Sequence, residues 1–271
     1  MTNATHPTPY PAVNAVLLEL LAGAQSILGP HLIGLYLEGS LATGDFDDDS
    51  DIDFVAVTDA ELSSAAFAAL RTMHEDIATM DSGWAIQLEG SYISQHALRR
   101  HDPTQTLYPN IQRGKGERLK LVHHDEAWVI HRSVLRDRGI TLVGPAPQML
   151  IDHVSPDDLR GAMLFLLREW ATPMLDDPTQ IKYRGYQSYT VLSLCRMLYT
   201  LHCGTVASKA VAARWAQQVL GARWVPLIER TWAGRHNPEW EASSEDINGT
   251  LEFIRYTLER SQPFQKPTEV A

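Results

Sequence analysis

Cysteine is scarce in this chain of 271 residues, and the scarcity excludes a disulfide framework. The two cysteines, Cys195 and Cys203, lie eight residues apart within one helical pattern. Eight residues of helix span ~12 Å, whereas the Cα atoms of a disulfide lie within ~7 Å of each other. We therefore expect two free, buried thiols, and too few neighbouring ligands for a zinc site.

Positive charge is also in short supply. The chain has 23 basic and 33 acidic residues, for a formal net charge of −10. The most basic stretch, residues 113–120, is short and interrupted by glycine, which indicates a loop. Because nucleic-acid binding depends on neutralising phosphates, we expect no nucleic-acid partner. An acidic protein attracts cations instead.

Long hydrophobic runs are missing too. No apolar stretch in the sequence reaches the ~20 residues that a transmembrane helix needs, and residues 1–7 lack the basic and apolar regions of a signal peptide. We therefore expect a cytoplasmic protein without a membrane partner, and a monomer. With 44% hydrophobic residues, the chain has enough apolar material for one large domain or two modest ones.

The most informative feature is Gly39-Ser40, followed ten residues later by Ser50-Asp51-Ile52-Asp53. Apolar runs at residues 32–37 and 54–57 flank the motif and indicate buried strands. Side chains alternate along a strand, so Asp51 and Asp53 project from the same face. Paired carboxylates are hard to ionise together unless a cation holds them, and oxygen ligands suit Mg²⁺. The pattern predicts metal-assisted nucleotidyl transfer, with the triphosphate held near Gly39 and Ser40.

A third carboxylate is needed to complete the metal shell or to accept a proton. Glu89 lies in an apolar run, residues 84–94, that predicts a third strand beside the Asp51/Asp53 strand. Glu38 and Asp81 are weaker candidates, and we expect Glu38 to face away from the site. The other acids of the connection, residues 45 and 47–49, are interpreted as a solvated loop.

The periodicity changes along the chain. Helices are predicted for residues 12–28, 60–79 (with Asp59 as N-cap) and 127–138, a strand for 140–143, and a long connection for 95–126. Five amphipathic helices follow at 159–170, 186–203, 208–220, 223–233 and 245–260. We predict an α+β protein: an N-terminal domain, residues 1–152, with a mixed sheet flanked by helices, and a C-terminal all-helical domain, residues 153–271.

Two motif sets give the chain a family resemblance. Gly39-Ser40 with Asp51-Ile52-Asp53 resembles the signature of the DNA polymerase β-like nucleotidyltransferase superfamily. Residues 191–201 and 204–216, with the junction at residues 142–145, resemble the helical domain of the aminoglycoside (streptomycin/spectinomycin 3″/9) adenylyltransferases. The resemblance implies ATP and Mg²⁺, bound between the two domains, and transfer of AMP to a small cationic antibiotic.

The resemblance also implies roles for individual residues. Ser40 and Ser50 would contact the ATP phosphates beside Gly39, and Asp51 and Asp53 would hold Mg²⁺, with Glu89 as a further ligand or as the base for the drug hydroxyl. From the helical domain, Arg196 and Lys209 would reach the nucleotide. Trp232 and Tyr189 are candidates, on their aromatic character alone, to stack on adenine or on the acceptor.

Two departures from the family pattern concern the acceptor. Streptomycin-accepting members have a Trp in the inter-domain loop, but residues 116–120 contain none, and Tyr186 stands where they have an Asp. Spectinomycin is therefore favoured over streptomycin. Other acceptors remain open: a non-antibiotic hydroxyl, a protein or a tRNA end. A catalytically silent regulatory relative is the further alternative.

Overall fold

The computed structural model describes residues 7–265. The chain divides into two compact units, Met1–His153 and Val154–Ala271. Residues 1–6, on which the expectation of no signal peptide partly rests, lie outside the described residues.

A six-stranded mixed sheet forms the centre of the first unit, with strands in the order β5-β4-β3-β2-β1-β6. Strands β2 and β3 pair in parallel, and the other neighbours are antiparallel. The elements are α1 (Pro11–Leu28), β1 (Leu32–Leu37), α2 (Gly39–Thr43), β2 (Ile52–Thr58), α3 (Ser64–Ile77), β3 (Leu88–Ser94), α4 (Gln95–Arg99), β4 (Leu107–Ile111), β5 (Lys120–His123), α5 (Trp128–Arg138) and β6 (Ile140–Val143).

The two faces of the sheet are buried against different helices. Because side chains alternate along each strand, Leu35 and Phe54 join one hydrophobic cluster, which includes Leu17 of α1. Tyr36 and Val55, one residue further along, join a second cluster with Leu135 of α5. Burial on both faces explains the near-continuous apolar runs of β1 and β2.

The second unit is helical over its described residues: α6 (Pro156–Leu166), α7 (Arg184–Cys203), α8 (Lys209–Val219), α9 (Val225–Gly234) and α10 (Ser244–Ser261). Helix α7 packs against the other four helices, and its Val191, Leu194 and Leu198 are fully buried. Serine N-caps begin α6, α8 and α10. The predicted α+β fold class, with a mixed sheet followed by helices, is confirmed.

Several local predictions were wrong. Helix α3 begins at Ser64, capped by the Ser63 side chain, while Asp59 pairs with His31 at 2.9 Å. Residues 83–86 form a 3₁₀ turn ahead of β3. The predicted connection of residues 95–126 contains α4, β4 and β5. Both cysteines are free, but only Cys195 is buried.

Helix α1 also corrects an expectation. With the turn that follows it, Pro11–His31 is long and apolar enough to cross a membrane by length and composition. A core helix meets the same criterion, and the apolar character of α1 has a structural reason here. Val13, Val16 and Leu20 are completely buried in the cluster beneath the sheet.

Candidate active site

Three carboxylates form a row across the sheet: those of Glu38, just after β1, of Asp53 in β2 and of Glu89 in β3. Asp53 is in register with Glu89 across the parallel pair, and the backbone N–H of Glu38 donates to the Asp53 carbonyl at 3.1 Å. Side chains in register on neighbouring strands share a face, and this face is the one that α5 covers. The expectation that Glu38 faces away was wrong: its side chain is buried and its charge acts on Asp53.

The row concentrates negative charge where water is scarce. Burial raises the pKa of Asp53 well above its ordinary value, and the charges of Asp51, Glu38 and Glu89 raise it further. Burial, followed by the charge of Asp51, also raises the pKa of Glu89. Like charges held together out of water attract a cation or a proton. The buried negative charge therefore favours cation binding at this edge of the sheet.

The Gly39–Ser40 segment lies directly against this row. Gly39 has a φ of 58°, and a Cβ on residue 39 would overlap the Asp53 carboxylate. The Ser40 hydroxyl is buried and has no hydrogen-bond partner in the structure. A buried hydroxyl without a partner is costly, and an oxygen-rich ligand such as a phosphate would satisfy it.

Ser50, by contrast, is engaged in its own turn. Its hydroxyl donates to Asp47 Oδ1 at 2.9 Å and accepts from the Asp47 backbone N–H at 3.0 Å. The acidic loop is also less solvated than expected, because one carboxylate oxygen of Asp45 is buried without a hydrogen-bond partner. Between these two serines, only Ser40 presents an unsatisfied hydroxyl.

Two basic side chains near the row, Arg113 and His131, were missed from the sequence. Arg113 Nη1 lies 3.4 Å from Asp51 Oδ2, and the Arg113 backbone N–H donates to the Glu89 carboxylate and lowers its pKa. His131 of α5 lies with its Nδ1 2.9 Å from Glu38 Oε1. Arg113 lies two residues beyond the end of the overlooked strand β4, so recognising that strand would have located it.

The donor set fits Mg²⁺ only in part. Among the residues that the structure describes, no three His, Cys, Asp or Glu side chains form a group that holds a metal by itself. Mg²⁺ in nucleotide sites is usually held by one or two carboxylates together with substrate phosphates. Asp51 and Asp53, beside the unsatisfied Ser40 hydroxyl, match that arrangement.

In the helical unit, the residues implied for the nucleotide have local contacts. Arg196 of α7 donates from Nε to the Ala207 carbonyl at 3.1 Å. Lys209 opens α8, with its Nζ 5.8 Å from the centre of the Tyr189 ring. The Trp232 ring lies under the Arg235 guanidinium at 4.8 Å.

Comparison with known families assigns both units. A nucleotidyltransferase domain model matches residues 19–98, which contain β1, β2, β3 and the three carboxylates of the row. The model of the aminoglycoside adenylyltransferase C-terminal domain matches residues 149–260. The chain is therefore a nucleotidyltransferase, and both of its units are similar to domains of the aminoglycoside adenylyltransferases.

Relatives of this family match nearly the full length of the chain. A spectinomycin 9-adenylyltransferase from Campylobacter jejuni is 26% identical over 254 residues, 89% of this chain and 93% of the relative. An aminoglycoside (3″)(9) adenylyltransferase from Escherichia coli is 26% identical over 90% of this chain and 93% of its own length.

A solved structure shares the fold. The spectinomycin adenyltransferase AAD(9) from Enterococcus faecialis, solved with ATP and spectinomycin, superposes with a TM-score of 0.68 and 17% identity. The match covers 92% of this chain and 98% of that one. The match therefore shows the same fold over nearly the whole chain.

The helical unit contains a small cluster of aromatic side chains around Tyr186. Tyr186 accepts a hydrogen bond from Trp170 Nε1 at 2.9 Å, and the half-exposed Tyr189 ring lies 5.6 Å from Trp170 and 5.8 Å from Tyr186. These three rings form an aromatic cluster. Tyr186, within it, stands at the position where the family resemblance implies an aspartate in streptomycin-accepting members.

Proposed function

We propose that this enzyme transfers AMP from ATP to a hydroxyl of an aminoglycoside or aminocyclitol, with spectinomycin preferred over streptomycin. One observation carries the proposal: Asp53 and Glu89 stand in register beside the Gly39–Ser40 segment, whose buried hydroxyl is unsatisfied. The arrangement offers carboxylates for a cation and a hydroxyl for a phosphate within one short stretch of sheet. The activities named for the relatives support the same reaction.

In this proposal Asp51 and Asp53 hold Mg²⁺, with Glu89 beside them. Bound Mg²⁺ neutralises phosphate charge and polarises the phosphorus–oxygen bonds. The Ser40 hydroxyl donates to a phosphate oxygen. Arg196 and Lys209 of the helical domain supply fixed positive charge for the leaving pyrophosphate.

Glu89 is the proposed base. Its pKa is raised, above all by burial, and a carboxylate whose pKa approaches the working pH accepts a proton more readily in a transition state. It takes the proton of the acceptor hydroxyl while that oxygen forms the new bond to the α-phosphorus. The bond from the α-phosphorus to the bridging oxygen breaks, and pyrophosphate leaves.

The acceptor preference rests on Tyr186. A hydroxyl in an aromatic cluster gives a guanidinium no charged partner, whereas an aspartate would. Spectinomycin has no guanidinium, so a tyrosine in place of the aspartate costs it no charged contact. We propose a monomeric enzyme that acts in the cytoplasm, where ATP is available, on a small cationic acceptor.

The test is adenylylation by the purified full-length chain with ATP and MgCl₂. Spectinomycin, streptomycin and several aminoglycosides are supplied separately, and pyrophosphate release and the mass of the drug are both recorded. Asp53→Asn is the variant expected to be inactive. Asp48→Asn, which removes an exposed acid of the neighbouring loop, is the matched control and should behave like the wild type.

The expected result is AMP-modified spectinomycin that depends on Mg²⁺ and on Asp53. No modified drug anywhere in the panel, from a folded protein that still binds ATP, would refute the proposed acceptor class. A protein or tRNA acceptor would then be sought by transfer of labelled AMP. Failure to bind ATP as well would indicate a catalytically silent relative.

A further inference from the structure

We propose that His131 is a positioning residue for the Gly39–Ser40 segment and that it acts through Glu38. The inference rests on the proposed function, because it assigns that segment to the ATP phosphates. Neither residue belongs to the sequence motif, and the pairing joins α5 to the end of β1. His131 holds the Glu38 side chain, and Glu38 in turn holds the start of α2.

Glu38 is fixed at three points. Its carboxylate, 7% exposed, accepts from His131 Nδ1 at 2.9 Å. Its backbone N–H donates to the Asp53 carbonyl at 3.1 Å, and its own carbonyl accepts from the Ala42 N–H at 3.3 Å. The first contact reaches α5, the second reaches β2 and the third closes α2. The residue that precedes Gly39 thus joins the three elements.

The contact with Asp53 makes the position of Glu38 matter for the site. Gly39 lies so close to the Asp53 carboxylate that a Cβ would overlap it. A small rotation of the Glu38 backbone would therefore move Gly39 and Ser40 relative to Asp53. Displacements of about 1 Å in such groups are enough to impair a reaction by two orders of magnitude.

His131 is itself held in place by stacking. Its ring stacks on Trp128 with 4.9 Å between centroids, and Trp128 stacks on the buried His124 at 3.6 Å. His124 Nε2 lies 2.9 Å from the Ser91 hydroxyl on β3. Ser91 is two residues beyond Glu89, so this stack ties α5 to the strand that bears the proposed base.

The experiment measures binding of α,β-methylene ATP with MgCl₂ by calorimetry, because this analogue cannot transfer AMP. His131→Ala removes the donor to Glu38, and we expect the Kd to rise about tenfold. His131→Asn places an amide N–H close to the position of Nδ1–H, and its Kd should stay within about threefold of wild type. His123→Ala is the control: His123 is exposed and bonds to Thr106 Oγ at 3.0 Å.

A double-variant cycle checks that the effect passes through Glu38. Because His131 acts only through Glu38 in this scheme, Glu38→Ala/His131→Ala should bind the analogue no more than about twofold worse than the weaker single variant. If the Kd increases of the two single variants multiply in the double variant, His131 does not act through Glu38 and the inference is wrong. Thermal melting of each variant in the absence of nucleotide shows whether it is folded. If His131→Ala does not fold, His131→Asn still provides the test.

Other results overturn the inference distinctly. Wild-type affinity in a folded His131→Ala would refute it while leaving the proposed function intact. An equal loss in His131→Asn and His131→Ala would show that the hydrogen bond to Glu38 does not account for the effect, and would refute positioning. A wild-type chain that binds no ATP analogue would refute the proposed function, and this inference with it.

Discussion

Gly39 and Asp53 are in such close contact that residue 39 has no room for a side chain. Gly39→Ala would place a methyl group on the Asp53 carboxylate and would also force alanine into the left-handed region, at φ 58°. We expect at least a hundredfold loss of AMP transfer, measured as pyrophosphate release with spectinomycin. Gly83→Ala is the control, since a Cβ there meets nothing within 4 Å. Comparable activity of the two variants would contradict the prediction.

Asp53→Asn should abolish transfer and stabilise the fold. The substitution removes a proposed metal ligand. It also removes a charge whose burial, and whose repulsion by Asp51, Glu38 and Glu89, raise the pKa of Asp53. For a group whose pKa is raised on folding, the ionised form opposes folding at neutral pH. We therefore expect activity below a hundredth of wild type and a higher melting temperature without Mg²⁺. A melting temperature lower than that of wild type would argue against a strained acidic cluster.

Lys209→Ala should raise the KM for ATP about tenfold while the helical domain stays folded. A lysine at the first position of α8 is unfavourable for the helix dipole, so its removal should cost no helix stability. Arg196→Ala should raise the same KM, although it also loses the bond to the Ala207 carbonyl. Lys182→Ala is the control, because Lys182 forms an exposed ion pair with Glu241. An unchanged KM in Lys209→Ala would remove this residue from the phosphate site.

His74 should make the fold sensitive to acid. Burial lowers the pKa of His74 to about 4, and its Nε2 lies 2.9 Å from the Tyr92 hydroxyl. The unfolded chain takes up this proton near pH 6.5 and the folded chain only near 4, so stability is complete above pH 6.5 and is lost as the pH falls towards 4. The loss amounts to about 3 kcal/mol.

The measurement compares urea unfolding at pH 7.5 and pH 4.5 for wild type, His74→Gln and His123→Gln. Other groups also titrate in this range, so the informative quantity is the difference between variants. His74→Gln should lose roughly 2 kcal/mol less on acidification than wild type, and the exposed His123→Gln should follow wild type. Equal losses in all three proteins would exclude His74 as the acid-sensitive group.

Streptomycin should be a poor acceptor. A guanidinium without a carboxylate partner forgoes a charge-assisted contact of roughly 1.5–3 kcal/mol, about a tenfold to hundredfold loss of affinity. Tyr186→Asp should increase the relative rate on streptomycin, provided that spectinomycin turnover shows the variant to be folded. Tyr183→Asp, at the exposed start of α7, should not. Faster turnover of streptomycin than spectinomycin by the wild type would contradict the argument.

The strands that bear the motif were predictable because their signals are local. Apolar runs at residues 32–37 and 54–57 indicated these strands, and the structure has strands at Leu32–Leu37 and Ile52–Thr58. Strands β4 and β5 were missed because Pro109 lies within one and Gly114 and Gly116 lie between them, and such residues normally indicate loops. Missing β4 also meant missing the position of Arg113.

The site residues outside the motif depend on tertiary pairing. Helix α5 was predicted within one residue, but which of its side chains meets Glu38 depends on how the helix packs on the sheet. Alternation alone cannot say which face of β1 carries functional groups when both faces are buried, which is why the direction of Glu38 was wrong. The roles of Asp51, Asp53, Glu89, Arg196 and Lys209 stay predictions until variants are measured.

The strand directions have a consequence for what holds the carboxylates in place. Strand β1 ends at the same edge of the sheet where β2 and β3 begin. Asp53 and Glu89 lie within the paired strands at this edge, whereas the segments that precede β2 and β3 are connections outside the pairing. Residues 45–49 and 79–83 belong to these connecting segments and lie outside the register that pairs Asp53 with Glu89. The spacing of these two carboxylates is therefore set by backbone pairing and not by the conformation of either connecting segment.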